Sequence, residues 1–284
     1  MVFGGAPLAR WGTHLAAAVL GLAAYAALTS VRRGVSSLGV GVTLFAFAAV
    51  ASTLLSTGID GVQRWHQLGP LRVHPSTLLA PLVLVVGAGR VLRGRVAAHV
   101  SLLGLQGVHF LQPDAGQATA LACGAIAFVL VDRQHRQRTL LVLTYLISAA
   151  ATWARFDPLP PAAFVEDIVV RSFALAPALG VVALVSLLLL VTSPLLAEQT
   201  PRSRPAAIAL SAYLVAATLV VCVGEYPVPL LGFGTSPTLG AFLALAALRL
   251  VHNNARTASE GAHRSSAAPS QPSKPEEPWE QCAA

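Results

Sequence analysis

Long apolar runs alternate with short polar breaks along almost the whole chain. A hydrocarbon core about 30 Å thick is crossed by roughly 20 apolar residues in a helix. Nine runs fit that requirement: 12–30, 35–57, 76–92, 96–111, 117–131, 139–155, 172–196, 206–224 and 236–252. The fourth is interrupted by His99, Gln106 and His109, and the fifth is short but nearly free of polar side chains. The pattern predicts an all-α, polytopic integral membrane protein with about nine transmembrane helices in residues 1–252. Residues 253–284 are rich in Ser, Ala, Pro and Glu and poor in large apolar side chains, which predicts a disordered cytoplasmic tail.

The polar breaks are of two kinds. Arg32 and Arg33 follow the first run, Arg90, Arg93 and Arg95 the third, and Arg133, Arg136 and Arg138 the fifth; Arg202 and Arg204 follow the seventh, and Arg249 ends the ninth. Basic loops stay in the cytoplasm, so the N-terminus is expected outside and the C-terminus inside. Removing the fourth run would break this alternation, which supports it as a helix despite its polar residues. The opposite loops hold Asp60, Asp114, Asp157, Glu166, Asp167 and Glu225, half of the chain's twelve acids. Any one of them is an ordinary solvated loop residue. Six together, among Pro, Trp, Arg and His, suggest the rim of a site on the outer side.

Composition excludes several classes. The chain is 55% hydrophobic and 11% charged, whereas about a quarter of a soluble domain is charged. Its net charge of +7 comes in short groups between apolar runs, the distribution of topology signals, so no nucleic-acid partner is expected. Cys123, Cys222 and Cys282 form no disulfide or zinc framework. The first apolar run reads as a membrane helix and not as a cleavable signal peptide. His66, His74, His109 and Asp114 lack metal-ligand spacing, so no metal is expected, and nothing identifies a cofactor. Segments broken by Pro and Gly, such as 224–240, also line transporter cavities, but no inverted repeat or mid-helix charge accompanies them.

The first outer loop reads "GVQRWHQLGPLRVHPSTL" over residues 61–78. Trp65 suits the membrane interface. Arg64 and Arg72 can make forked hydrogen bonds to phosphate oxygens. Pro75-Ser76-Thr77 predicts a helix start, with Pro in the first turn and Ser or Thr as the cap. A helix N-terminus beside two arginines is an anion site in principle. The plainer alternative is an interfacial anchor with snorkelling arginines.

This loop resembles that of the SEDS family, the FtsW, RodA and SpoVE type of cell-wall proteins, which typically reads G-x-x-R-W-I-x-L-G-x-x-x-x-Q-P-S-E-L. A second family block, Q-P-D-L-G-T, is matched by Gln112-Pro113-Asp114-Ala115-Gly116-Gln117. A third, L-P-L-P-F-I-S-Y-G-G-S-S, is matched more loosely by 226–237, "YPVPLLGFGTSP". The three fall in the family's order, each on the expected outer side, and the resemblance covers nearly all of the chain except the tail.

The resemblance implies a polytopic α-helical protein of the bacterial inner membrane. It implies polymerisation of glycan strands from lipid II, an undecaprenyl-diphosphate-linked disaccharide-peptide, in division or elongation. A class B penicillin-binding transpeptidase is the implied partner. The family's essential acid is the aspartate of a T-D-F-I-F block after a large outer loop. The matching place here is 163–170, "AFVEDIVV", which makes Asp167 the implied catalytic residue with Glu166 beside it. Asp167 would be general base on a sugar hydroxyl. Substrate binding would fall to Arg64, Trp65, Arg72, Asp114, Arg155 and Arg171, the arginines holding the diphosphate.

The chain also departs from the family. Nine helices instead of ten fit loss of the first one. The loop before Asp167 is much shorter, Q-P-S-E has become His74-Pro75-Ser76-Thr77, and the paired glutamates expected after the acid are replaced by "ALAPALG" over 174–180. The losses fall on polar residues more than on the Gly and Pro framework. They suit a divergent enzyme with a changed substrate, or a catalytically inactive scaffold that binds a transpeptidase or division partner.

Overall fold

The structure is a computed structural model that describes residues 8–30, 36–69, 71–89, 94–132, 137–160, 164–196, 199–201, 203–224, 226–232 and 234–266. Among these lie ten α-helices: α1 Leu8–Ser30, α2 Ser36–Ala51, α3 Pro75–Ala88, α4 Arg95–Leu111, α5 Ala115–Val131, α6 Arg138–Trp153, α7 Ile168–Leu175, α8 Pro177–Leu196, α9 Arg204–Leu219 and α10 Thr235–Ser266. Nine of them coincide with the nine apolar runs. Gly12–Ser30, Pro177–Leu196 and Arg204–Cys222 are each long and apolar enough to cross a membrane, and four shorter apolar helices accompany them. The molecule is a polytopic, all-α membrane protein.

The tenth helix arises from a break that the apolar pattern does not show. Run 172–196 is two helices, because Ala176 is extended (φ −163°, ψ 132°) between α7 and Pro177. The proline ring clashes with a helical residue before it, so the chain turns there and α8 starts afresh. At the other extreme, α10 does not stop at 252, the expected end of the membrane domain, but continues to Ser266. Extending a helix that is already packed adds one hydrogen bond per residue with no nucleation cost, so polar composition alone does not end it. The remainder of the expected tail, 267–284, lies outside the described residues.

Helix α5 packs along α9, α10 lies against α1 and α3, and α3 also meets α5 and α9. Small residues permit these approaches. Ala80, Ala120, Ala206 and Ala244 are fully buried, and a Cβ on Gly124 of α5 would stand only 2.9 Å from the Ala209 carbonyl of α9. By contrast α1 and α8 turn most of their surface outward.

The connections gather at two ends, joined by contacts of Arg64 with Gln112 and Asp157, of His74 with Ser236 and of Val165 with Val228 at one, and of Arg95 with Asp132 at the other. At the basic end the Arg95 Nε lies 3.0 Å from an Asp132 carboxylate oxygen, and Arg138 donates to the Asp132 carbonyl at 3.1 Å. Arg32, Arg33, Arg90, Arg93, Arg133, Arg136 and Arg202 lie outside the described residues. The opposite, acidic end carries the three family-like motifs. Its first loop folds into a small antiparallel hairpin, β1 His66–Leu68 and β2 Leu71–Val73, with His66 opposite Val73.

Candidate functional site

The first motif is tied to the second by Arg64. Its side chain is almost fully buried, at 4% exposure for the residue. The guanidinium donates to the Gln112 carbonyl at 3.1 Å, to the Pro113 carbonyl, and to Asp157 at 2.6 Å. Three loops are thereby held by one side chain, and the fork geometry of guanidinium is what allows it. Gln112 extends the tie inward, donating to the Val50 carbonyl at 3.1 Å and to Thr53, while Ser76 donates to it at 3.4 Å.

His74 performs the corresponding task for the third motif. Its backbone N–H donates to Ser236 Oγ at 2.9 Å. Its Nδ1 accepts the Thr77 N–H at 3.2 Å, so the α3 N-terminus is capped by the histidine and not by Ser76 or Thr77. That bond places the ring proton on Nε2, which lies 3.2 Å from Asp114 Oδ2. Asp114 in turn caps α5, accepting the Gln117 N–H at 3.1 Å. Burial alone would raise the Asp114 pKa, but Arg64 and His74 outweigh it and hold the carboxyl well below the usual carboxylate range.

Aromatic rings close the edge of this knot. Trp65 meets the His74 ring edge-on at 5.4 Å. Tyr226 packs on Gly116, where any Cβ would collide with it, and meets Trp153 edge-on at 5.8 Å. Trp153 donates to Thr119 at 2.9 Å. Burial, with the Asp114 charge adding to it, pushes the Tyr226 hydroxyl up to about 12.

Asp167 stands apart from the knot, in the position just before α7. One carboxylate oxygen accepts the Phe164 N–H at 2.9 Å and the other pairs with Arg171 one turn on. The carboxylate is 39% exposed and the Arg171 side chain 49%. Arg171 lies over the Phe164 ring, 4.7 Å from its centroid. The turn is fixed to the third motif: Val228 N–H donates to the Val165 carbonyl at 3.1 Å, and a Cβ on Gly232 would come within 2.5 Å of that carbonyl. Ile168, buried with Leu187 and Val228, anchors the start of α7. Glu166 is half-buried beside it.

The expected site residues therefore divide. Arg64, Trp65 and Asp114 meet in the knot, and Arg64 is committed to protein acceptors in the way an anchor is. Asp167 and Arg171 form an accessible pair. Arg72 is exposed on β2, its Nε 3.3 Å from Gln67 Oε1, and Arg155 is exposed with its guanidinium 5.1 Å from the Phe110 ring centroid. The sequence shows only that these groups share one side; the contacts of His74, Asp157 and Ser236 needed the folded chain. Among the described residues no group of three His, Cys, Asp or Glu side chains is arranged to hold a metal ion.

Below the Trp153–Tyr226 contact an apolar groove of ≈ 660 Å³ opens between α5, α6, α8 and α9. Thr119, Cys123, Trp153, Leu195, Val215 and Val220 are among its walls.

No protein-family model matches the chain, and no curated protein matches it in sequence. Solved structures do match its fold. The rod shape determining protein RodA of Thermus thermophilus aligns over 88% of this chain and 90% of its own, with a TM-score of 0.62 and 22% identity. An aspartate-to-alanine variant of that protein gives 0.60 and 20% over the same shares. A chain from a structure on the coordination of polymerization and crosslinking by a peptidoglycan synthase complex gives 0.61 and 22%, over 87% of this chain and 90% of that one. The chain thus has the RodA fold, and the SEDS resemblance read from its motifs is borne out in its architecture.

Proposed function

We propose that this chain is a divergent SEDS-type protein of peptidoglycan synthesis, acting in division or elongation. It polymerises glycan from an undecaprenyl-diphosphate-linked, lipid II-like substrate at the acidic end, on the outer face of the bacterial inner membrane, with the N-terminus outside and the end of the chain in the cytoplasm. The observation that carries this reading is the Asp167 carboxylate, exposed at that end yet oriented by the Phe164 N–H and by Arg171.

In this reading Asp167 takes the proton of an acceptor sugar hydroxyl as that oxygen bonds to the anomeric carbon of the donor. The bond from that carbon to the diphosphate breaks, and undecaprenyl diphosphate leaves. Arg171, Arg155 and Arg72 are the exposed cations that can meet the diphosphate oxygens. The apolar groove beneath Trp153 suits the isoprenoid chain, which no aqueous pocket would accept. Glu166, beside the base, adds a second carboxylate to the rim. Arg64, Trp65 and Asp114 shape the site from behind.

A second reading is favoured by the closure of the knot: a catalytically inactive scaffold for a class B penicillin-binding transpeptidase or division partner. Polymerisation of labelled lipid II by the purified protein, with and without a candidate transpeptidase, separates the two. Polymer that is lost in Asp167→Ala, with unchanged thermal stability, establishes the enzyme and its base. A folded protein that binds the transpeptidase and yields no polymer in any combination establishes the scaffold.

A further inference from the structure

A second cavity, of ≈ 390 Å³, lies at the basic end between α1, the α8–α9 connection and α10. Its volume is within the roughly 300–1,000 Å³ of small-molecule sites. The walls change character along the membrane normal. Toward the bilayer interior they are Leu22 of α1 with Phe242 and Leu245 of α10. Toward the basic end they become Tyr25, Gln199, Ser203, Arg249 and His252. On α10 the lining residues 242, 245, 249 and 252 share one helical face, so the gradient from apolar to cationic runs over roughly 15 Å at 1.5 Å per residue.

Two donors at this rim are uncommitted. The Arg249 guanidinium is exposed and makes no ion pair or hydrogen bond among the described residues, and the half-buried Tyr25 hydroxyl has no partner there either. His252 is buried beside them. At the same end the Asp132 carboxylate is already paired with Arg95. A cation over an apolar slot at the membrane boundary matches a molecule with a phosphate at the interface and a hydrocarbon chain pointing inward. A free phosphate would leave the apolar half of the cavity empty.

We propose that this cavity binds one anionic phospholipid, its phosphate held by Arg249 and the Tyr25 hydroxyl and an acyl chain laid against Leu22 and Phe242. The site is remote from the acidic end and does not depend on the activity proposed there. Lipid occupancy would brace α1 and α10 against the α8–α9 connection.

The test uses the full chain in phosphatidylcholine nanodiscs with and without phosphatidylglycerol. Thermal midpoints and native mass spectra of retained lipid are read together. Phosphatidylglycerol is expected to raise the midpoint and to remain bound, and Arg249→Gln to weaken its retention roughly ten- to hundredfold, the scale of one charged hydrogen bond. Tyr25→Phe should weaken it less. Arg204→Gln, exposed at the same end but outside the cavity, should leave retention unchanged. An unaltered midpoint of Arg249→Gln in pure phosphatidylcholine shows that the variant folds. Equal retention of both lipids, full retention by Arg249→Gln, or equal stabilisation by inorganic phosphate alone would overturn the proposal.

Discussion

Two arginine–carboxylate arrangements stand at the same end of this molecule and do different things. Arg64 with Asp157 and the neighbouring Asp114 is drawn inside, the Arg64 side chain at 5% exposure. Arg171 with Asp167 is left at 49% and 39%. The buried arrangement has its donors spent on two carbonyls of one loop and the carboxylate of another. The exposed one is local, spanning a single helical turn, and stays open to solvent. A buried charge that loses its partner costs several kcal/mol, whereas an exposed pair is worth about 0–1 kcal/mol. The same two residue types therefore serve as framework in one place and as accessible chemistry in the other.

Arg64→Ala should break the framework most severely. It strands Asp157 and two carbonyl contacts, and a loss of about 3–5 kcal/mol is expected, seen as a collapsed thermal midpoint in detergent. Lysine should rescue little, since a point charge cannot reproduce the fork. An Arg64→Ala protein of normal stability that has lost substrate would reverse the assignment and make Arg64 a ligand.

Asp114→Asn is the next largest, at about 1–3 kcal/mol, because a charged acceptor of His74 and of the α5 N-terminus becomes neutral. The sign with pH follows from the direction of its shift. A carboxyl held below its ordinary pKa in the folded state contributes stability in full above that ordinary value, about 4, and loses it as the pH falls further. The wild-type midpoint should therefore drop on acidification below about pH 4, and the Asn variant should show a flatter acid limb. Equal slopes would remove Asp114 from the framework.

Much of this could be read from the chain, and the remainder fails for identifiable reasons. Helices that cross a bilayer leave runs of fixed length, so the spans and their alternation of basic and acidic ends were visible. The Ala176–Pro177 break was hidden because it lies inside an uninterrupted apolar run, where only the proline marks it. The hairpin at 66–73 is too short for alternation to announce a strand. The role of Arg64 was open between phosphate ligand and anchor, since its acceptors lie 48, 49 and 93 residues away. His74 was weighed as a possible metal ligand, and its actual bonds, to Ser236 and Asp114, join three motifs that sequence order keeps apart.

Gly232→Ala probes the link between the two regions. Its Cβ would press within 2.5 Å of the Val165 carbonyl, displacing the turn that carries Asp167 while leaving the Arg64 contacts in place. A stability loss of about 1 kcal/mol is expected from the overpacking. If Asp167 is the base proposed above, polymerisation should fall by a larger factor than stability does, because such a carboxylate tolerates little misplacement. Parallel losses would show that the turn is only scaffold.

Arg171→Gln has the smallest expected effect on the fold, and for that reason it separates the two arrangements most sharply. The pair is short-range and solvent-exposed, so the midpoint should move by less than about 1 kcal/mol. The Phe164 N–H still holds one Asp167 oxygen, which keeps the carboxylate near its place. If Arg171 meets the diphosphate, its removal should raise the KM for the lipid-linked donor and lower kcat as charge builds on the leaving group, with Arg171→Lys recovering part of the loss. If Arg171 only orients Asp167, lysine should restore kcat without any change in KM. A variant that instead unfolds like Arg64→Ala would erase the distinction between framework and accessible site.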